Sequence, residues 1–246
     1  MEKSSQYSLN SEQAYYERPW IWGENYWSEA QVERSRETVS MLPNDVKCVL
    51  DVGCGAGIVM NELVRRFPLV VGADFVFEPL KQVQSLQIQA SADFLPFPSH
   101  SFDAVVATEL IEHLPERMRS QALQEMPRIT KKYILITVPH REVLEMNQAK
   151  CAECGCIFHK HRHTMGFDKQ QMSKLFIAHF VLENINLMGR KTKLLPRVLV
   201  KLYQAFDGYG KVQPGVCLQI VGRWSTEYPD EPLNHTPFHQ EEPHGP

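Results

Sequence analysis

Along this chain the apolar residues change their period in a regular order. Val46 to Val52 is a nearly continuous apolar run, followed by glycines at 53, 55 and 57 and then by apolar residues at helical spacing. Val59, Leu63 and Phe67 stand four apart there, with Met60 and Val64 beside them. A run buried on both faces, then a one-sided helix, predicts a strand, a tight turn and a helix packed on a sheet. The alternation repeats with a strand ending at Asp74, a short helix from Glu78 and a strand from Gln87 to Ala90. Phe102 to Thr108 reads as a fourth strand. Met118, Ala122, Leu123 and Met126 give an amphipathic helix that Pro127 kinks or ends, and Lys131 to Val138 is a fifth strand. Asp168 is placed to cap a helix bearing Met172, Leu175 and Phe176, and strands are expected over Phe180 to Met188 and Gly215 to Trp224. Strands that alternate with helices in this way predict an α/β fold.

Two stretches break the rhythm near the ends. Residues 1–14 read as loose, and then Tyr15, Tyr16, Trp20, Trp22, Tyr26 and Trp27 crowd aromatic rings together. These rings could close over a ligand as a lid or simply pack against the core, because aromatic side chains bury large areas in either role. Ser28 with Gln31 forms a capping box that opens a helix towards Leu42, and Pro43-Asn44-Asp45 turns the chain into the first strand. Near the other end, Leu195, Val198, Leu199, Leu202 and Phe206 form an apolar stripe. Lys193, Arg197 and Lys201 lie on another face of the same helix; a solvated face accounts for them, and an acidic partner or membrane surface is the alternative. The segment 225–246, rich in proline and acidic residues, is expected to be disordered.

Composition narrows the class. The chain has 246 residues of which 43% are hydrophobic, enough for one good core and a single α/β domain with additions. Its formal net charge of −3 gives no bulk attraction to nucleic acid or anionic membrane, so neither partner is expected. No apolar run approaches a membrane span, and the polar start MEKSSQYSLN leads to the expectation of a cytoplasmic protein.

The chemistry centres on Asp51-Val52-Gly53-Cys54-Gly55-Ala56-Gly57. Glycines at alternate positions let a ligand approach the backbone without interference from Cβ atoms. Asp74 ends the next strand where an acidic side chain in such a unit accepts hydrogen bonds from ribose hydroxyls. The spacing is neither that of a dinucleotide fingerprint nor that of a phosphate-binding loop. Here the sequence resembles the class I S-adenosylmethionine-dependent methyltransferases, whose first motif matches Asp51 to Gly57 nearly letter for letter. The resemblance extends over about residues 46–224. It implies a doubly wound, mostly parallel seven-stranded sheet of Rossmann-like type with the last strand antiparallel. It also implies a cofactor site of Asp51, Gly53, Gly55, Gly57, Asp74, Phe75, Asp93, Phe94 and Thr108, with adenine at Asp93-Phe94 and ribose at Asp74. S-adenosylmethionine is then the methyl donor, S-adenosylhomocysteine the product, and a small molecule the acceptor, through an oxygen or less commonly a nitrogen.

Thr108, Glu109, Glu112 and His113 fall where the fourth strand gives way to a helix, at the strand ends where such sheets bind ligands. Imidazole titrates near neutrality, so His113, with Glu109 beside it, is the catalytic candidate; His140 and His163 are alternatives, and a merely packed His113 is the plain reading. Further on, Cys151 and Cys154 with His159 and His163 offer two thiolates and two imidazoles to a tetrahedral Zn²⁺, in a segment that resembles one found in some methyltransferases after the fifth strand. Cys156 and His161 are spare donors there. A second metal reading comes from Glu109-x-x-Glu112-His113, which resembles the divalent-metal motif of small-RNA 2′-O-methyltransferases and of ubiquinone-pathway O-methyltransferases. With His163 it would hold Mg²⁺, but His163 cannot easily serve both ions, and structural zinc is preferred. A cofactor-binding pseudoenzyme acting as a protein-interaction module is the rival to an enzyme.

Overall fold

The computed structural model describes residues 9–22, 27–152, 155–175, 180–188 and 217–224. For residues 9–11 and for the last two stretches it describes the backbone alone. The helix expected to carry Lys193 to Phe206, the tail, Tyr26, Cys154 and Phe176 lie outside the described residues.

Five strands run in chain order as β1 (Cys48–Val52), β2 (Leu69–Asp74), β3 (Leu86–Gln89), β4 (Phe102–Thr108) and β5 (Thr130–Pro139), all pairing in parallel. The hairpin strands β6 (Gln148–Lys150) and β7 (Ile157–His159) stand apart, and β8 (Phe180–Met188) and β9 (Cys217–Trp224) complete the main sheet. The order is β3-β2-β1-β4-β5-β9-β8, with β9 antiparallel to both of its neighbours. The sheet is thus mostly parallel and turns back at β1 and β4, the switch point where ligands bind in doubly wound folds.

Alternation along the strands divides the core between the two faces. Leu50, Val105, Ile134 and Ile136 face one way, against Met118, Ala122, Met126 and Ile129 of helix α5 (Glu116–Ile129). Val49, Ala104, Val106 and Leu135 face the other, against Val39 of α2 (Glu29–Ser40), the following Leu42, and Val59, Met60 and Leu63 of α3 (Ile58–Leu63). Two polar ties fix the ends. Asp103 accepts from the backbone N–H groups of Lys47 at 2.9 Å and Cys48 at 3.2 Å, joining the start of β1 to β4. Arg66 donates to Leu42 O at 2.5 Å, to Asn44 Oδ1 at 2.8 Å and to Val39 O, placing a cation at the carbonyl end of α2.

The capping box forms as expected, Ser28 N–H donating to Gln31 Oε1 at 2.8 Å and Gln31 N–H to Ser28 Oγ at 3.3 Å. Three boundaries differ from expectation. The chain is already helical before residue 14, in α1 (Leu9–Tyr16). Helix α3 stops at Leu63, and Phe67 is buried from the turn beyond it, because Pro68 steers Phe67 out of the helical region. Pro127 lies inside α5 and does not end it. Burial of Met126 and Ile129 at the last turn outweighs the lost N–H, and Thr130 Oγ1 donates to Met126 O at 2.6 Å.

Replacing Leu135, fully buried at mid-sheet, by Ala should cost ~2–5 kcal/mol, whereas Ser28→Ala should cost ~0.5–2 kcal/mol through loss of the α2 cap. Urea denaturation of both variants checks the order; equal losses would contradict the layer assignment.

Candidate functional site

After β1 the backbone enters the left-handed region three times, at Gly53 (φ 71°), Gly55 (φ 52°) and Gly57 (φ 88°). At Gly53 a Cβ would also lie 2.7 Å from the Leu110 side chain, so glycine is required there on two counts. The turn is fastened to the end of β2: Gly53 N–H donates to Ala73 O at 2.7 Å, and Gly55 N–H to Asp74 Oδ2 at 2.8 Å. The other Asp74 oxygen accepts from Val76 N–H at 2.9 Å. Burial raises the Asp74 carboxyl above its ordinary value, and these amides oppose the rise.

Asp51 is fully buried, and neither of its carboxylate oxygens has a hydrogen-bond partner. Burial first, and the nearby charge of Asp74 second, push its pKa up to about 8. A cationic ligand at the turn would relieve that cost.

A cavity of about 970 Å³ opens from the glycine turn. Gly53, Gly55, Asp74 and Phe75 line one end with Ala90, Ser91 and Ala92; Thr108, Glu109, His113, Glu142 and His163 line the other. Its roof comes from the aromatic segment, including Tyr15, Tyr16, Trp22 and Trp27. Trp22 Nε1 donates to Tyr16 O at 2.6 Å, and Gln82 Nε2 donates to Trp22 O at 2.7 Å. Arg162 holds Glu12 with bonds of 2.6 and 3.1 Å and lies 4.7 Å over the Tyr15 ring, so α1 is latched to the segment after β7.

Asp93 and Phe94 fall outside the cavity lining. Asp93 accepts from Ser91 Oγ, Phe94 N–H donates to Ser91 O at 3.0 Å, and the Phe94 ring is 77% exposed. The backbone of Ala90 to Ala92 stands where those two residues were expected.

The polar end of the cavity regroups the other candidates. Glu109, in the left-handed region at φ 51°, turns towards Thr137 Oγ1 at 3.1 Å and the Arg34 guanidinium at 3.7 Å. Glu112, His113 and His163 instead bring ligand atoms within 4.8 Å of one another. Glu112 is fully buried with both oxygens unpartnered, and burial, then the charge of Glu109, raises its pKa well above the ordinary range. Burial, followed by the neighbouring His163, lowers His113 to about 3. A neutral imidazole that resists protonation this strongly is a weak proton acceptor for a hydroxyl but a ready electron-pair donor.

His159 and His163 share Glu142, a residue that no sequence motif marked. His163 Nδ1 contacts Glu142 Oε2, His159 Nε2 lies 3.4 Å from Oε1, and Asn147 Nδ2 donates to Oε1 at 2.7 Å. The two rings stack at 4.9 Å. The Cys/His segment is therefore a hairpin, and His161 and His163 beyond it line the cavity. Cys151 enters no cluster of metal-ligating atoms among the described residues, and Cys154, the other thiol of the expected set, lies outside them. His140 bridges Phe167 through backbone at the end of β5.

A strand order that reverses at β1 and β4, with a glycine turn tied to the acidic end of β2, defines a nucleoside-binding α/β protein. The "Methyltransferase domain" family matches residues 50–135. An uncharacterized methyltransferase of Mycobacterium tuberculosis H37Rv is 33% identical over 84 residues, 31% of this chain and 43% of the relative. The ubiquinone biosynthesis O-methyltransferase of Citrobacter koseri is 34% identical over 80 residues, 28% of this chain and 33% of that one. These alignments span less than half the length of either relative. Among solved structures, the PH0226 protein of Pyrococcus horikoshii OT3 superposes with a TM-score of 0.60 at 16% identity, covering 86% of this chain and 99% of that one. The magnesium protoporphyrin IX methyltransferase of Synechocystis PCC 6803, solved with bound S-adenosylmethionine, gives 0.59 at 11% identity over 88% and 96%. Residues 50–135 thus carry a methyltransferase domain, and the fold around them is the Rossmann-like one of class I S-adenosylmethionine-dependent methyltransferases.

Asp51 makes stability depend on pH in a stated direction. Its carboxyl ionises near 3.8 in the unfolded chain and near 8 when folded, so between these values the folded protein keeps a proton that the unfolded chain has lost. Stability of the ligand-free protein should fall as pH rises from about 4 to about 8 and level off above that. The near-isosteric Asp51→Asn variant should lose this component, its urea midpoint gaining on wild type as pH rises; parallel pH profiles would refute the assignment.

Proposed function

We propose that this protein transfers the methyl group of S-adenosylmethionine to an oxygen of a small metabolite. The observation that carries the reading is the glycine turn fastened to Asp74 at one end of a cavity whose other end is polar. Gly53 and Gly55 leave room for the amino-acid end of the donor, the buried Asp51 offers negative charge near it, and Asp74 keeps acceptor capacity for ribose hydroxyls. Adenine would lie along Ala90 to Ala92, beside Asp93. The donor, when bound, supplies an electrophilic sulfonium methyl. The chain's own share is to orient the acceptor and exclude water beneath the aromatic roof. The ubiquinone biosynthesis relative supports oxygen as the acceptor atom.

A divalent cation, zinc or magnesium, would be held by Glu112, His113 and His163. That assignment rests on the donor set and on the unpartnered Glu112 carboxylate, and the ion would supply positive charge for an acceptor oxygen. Glu109 then holds Arg34 and Thr137 rather than metal. The cytoplasm suits the free thiols of Cys48, Cys54 and Cys151.

Calorimetric titration with S-adenosylmethionine should show one-site binding, weakened by ~1–3 kcal/mol in Asp74→Asn through lost hydrogen bonding. Label from a methyl-labelled donor should appear in small phenolic or catecholic metabolites. Binding without transfer to any acceptor would favour a pseudoenzyme, and a folded protein that does not bind would overturn the reading.

A further inference from the structure

We propose that Tyr16 and Glu142 are positioning residues that set the tautomers of His113 and His163, so that docking the N-terminal helix completes the cation site. The inference rests on the cation reading given above. His163 Nδ1 is engaged by the Glu142 carboxylate, and His113 Nδ1 lies 3.3 Å from the Tyr16 hydroxyl. With Nδ1 of each ring committed outward as a donor, Nε2 is the nitrogen left to ligate beside Glu112. An outer carboxylate or hydroxyl that accepts Nδ1–H raises the ligand strength of the other nitrogen and fixes the ring.

Glu142 is itself held by Asn147 and flanked by His159. Tyr16 is different, because it belongs to α1, far from these residues in sequence. What holds α1 there is the Glu12 carboxylate on Arg162, one residue before His163. The roof of the cavity and the histidine hairpin are therefore clamped together at the site where the ligands converge. A detached α1 would remove the Tyr16 hydroxyl from His113 and leave that ring free to take either tautomer.

The experiment uses the full chain with ¹⁵N-labelled histidine and S-adenosylhomocysteine, with Zn²⁺ as the probe cation. Imidazole nitrogen shifts should show Nδ1–H and metal-bound Nε2 in both rings. Tyr16→Phe should change the His113 signals and leave His163 alone, and Glu142→Gln should do the reverse. Zn²⁺ affinity measured against a chelating dye should fall ~10- to 100-fold in each variant. It should also fall in Glu12→Gln, which touches no ligand, while Cys151→Ser should match wild type. Nδ1 metallation, or wild-type affinity in Tyr16→Phe and Glu142→Gln, would overturn the inference. Wild-type protein that binds S-adenosylmethionine but takes up no Zn²⁺ would also overturn it, and would leave the methyl-transfer reading standing.

Discussion

The Asp74 carboxylate, almost wholly buried at the tip of β2, accepts the amide hydrogens of both Gly55 and Val76, and the cleft takes its shape from that pair of bonds. One bond fixes the middle of the glycine turn and the other fixes the chain as it leaves β2. The two loops therefore cannot drift apart without exposing a carboxylate to an apolar wall. Charge-assisted bonds of this kind are shorter and stronger than neutral ones, and only the ionised carboxylate accepts both at full strength. Asp51 is buried nearby with no such compensation. Two acidic groups at one turn, one satisfied and the other orphaned, form an environment suited to a ligand that brings positive charge. S-adenosylmethionine carries an ammonium and a sulfonium, whereas a phosphate ligand would add to the negative charge already there.

The parallel strands were readable because burial on both faces leaves near-continuous apolar runs, and β4 begins and ends where its run does. The glycine turn was readable because positive φ restricts the residue type. That Phe94 falls outside the cavity lining is something sequence pattern does not carry. Arg128, anchored to Glu125, donates to Leu95 O at 3.0 Å and Phe97 O at 2.8 Å, and Leu95 N–H donates to Glu125 at 3.0 Å. This loop is pinned to α5 by its backbone, so its aromatic ring is set by tertiary bonds and not by its place after the third strand. The end of α5 is similar: a helix breaker by propensity was overruled by the burial of its neighbours.

The histidine-rich hairpin shows the same limit more sharply. Its spacing of cysteines and histidines invites a local ligand set, since spacing is all that a linear pattern offers. The choice of partners depends instead on the direction in which the hairpin folds. Gln148 to Lys150 pairs with Ile157 to His159, and Cys151 N–H donates to Cys156 O at 2.8 Å, so Cys151 and Cys156 lie towards the hairpin's tip and His159 at its base. At the base the histidines meet Glu142 and the end of the loop after β4. Glu142 carries no motif and becomes legible only once β5 and the hairpin are placed together.

The surroundings of His113 also bear on its chemistry. His113 is enclosed by the Tyr16 ring, the neighbouring His163 and the buried Glu112, which disfavours the imidazolium. Enclosure that suppresses protonation leaves the lone pair available, and a lone pair held in fixed orientation serves to ligate or to accept a hydrogen bond. The same enclosure raises the Glu112 carboxyl, so burial favours the neutral form of each member of this pair. Either a bound cation or a bound acceptor would reverse that balance by favouring the ionised carboxylate. Charge at this end of the cavity is thereby tied to occupancy, and the aromatic roof keeps water from competing for it.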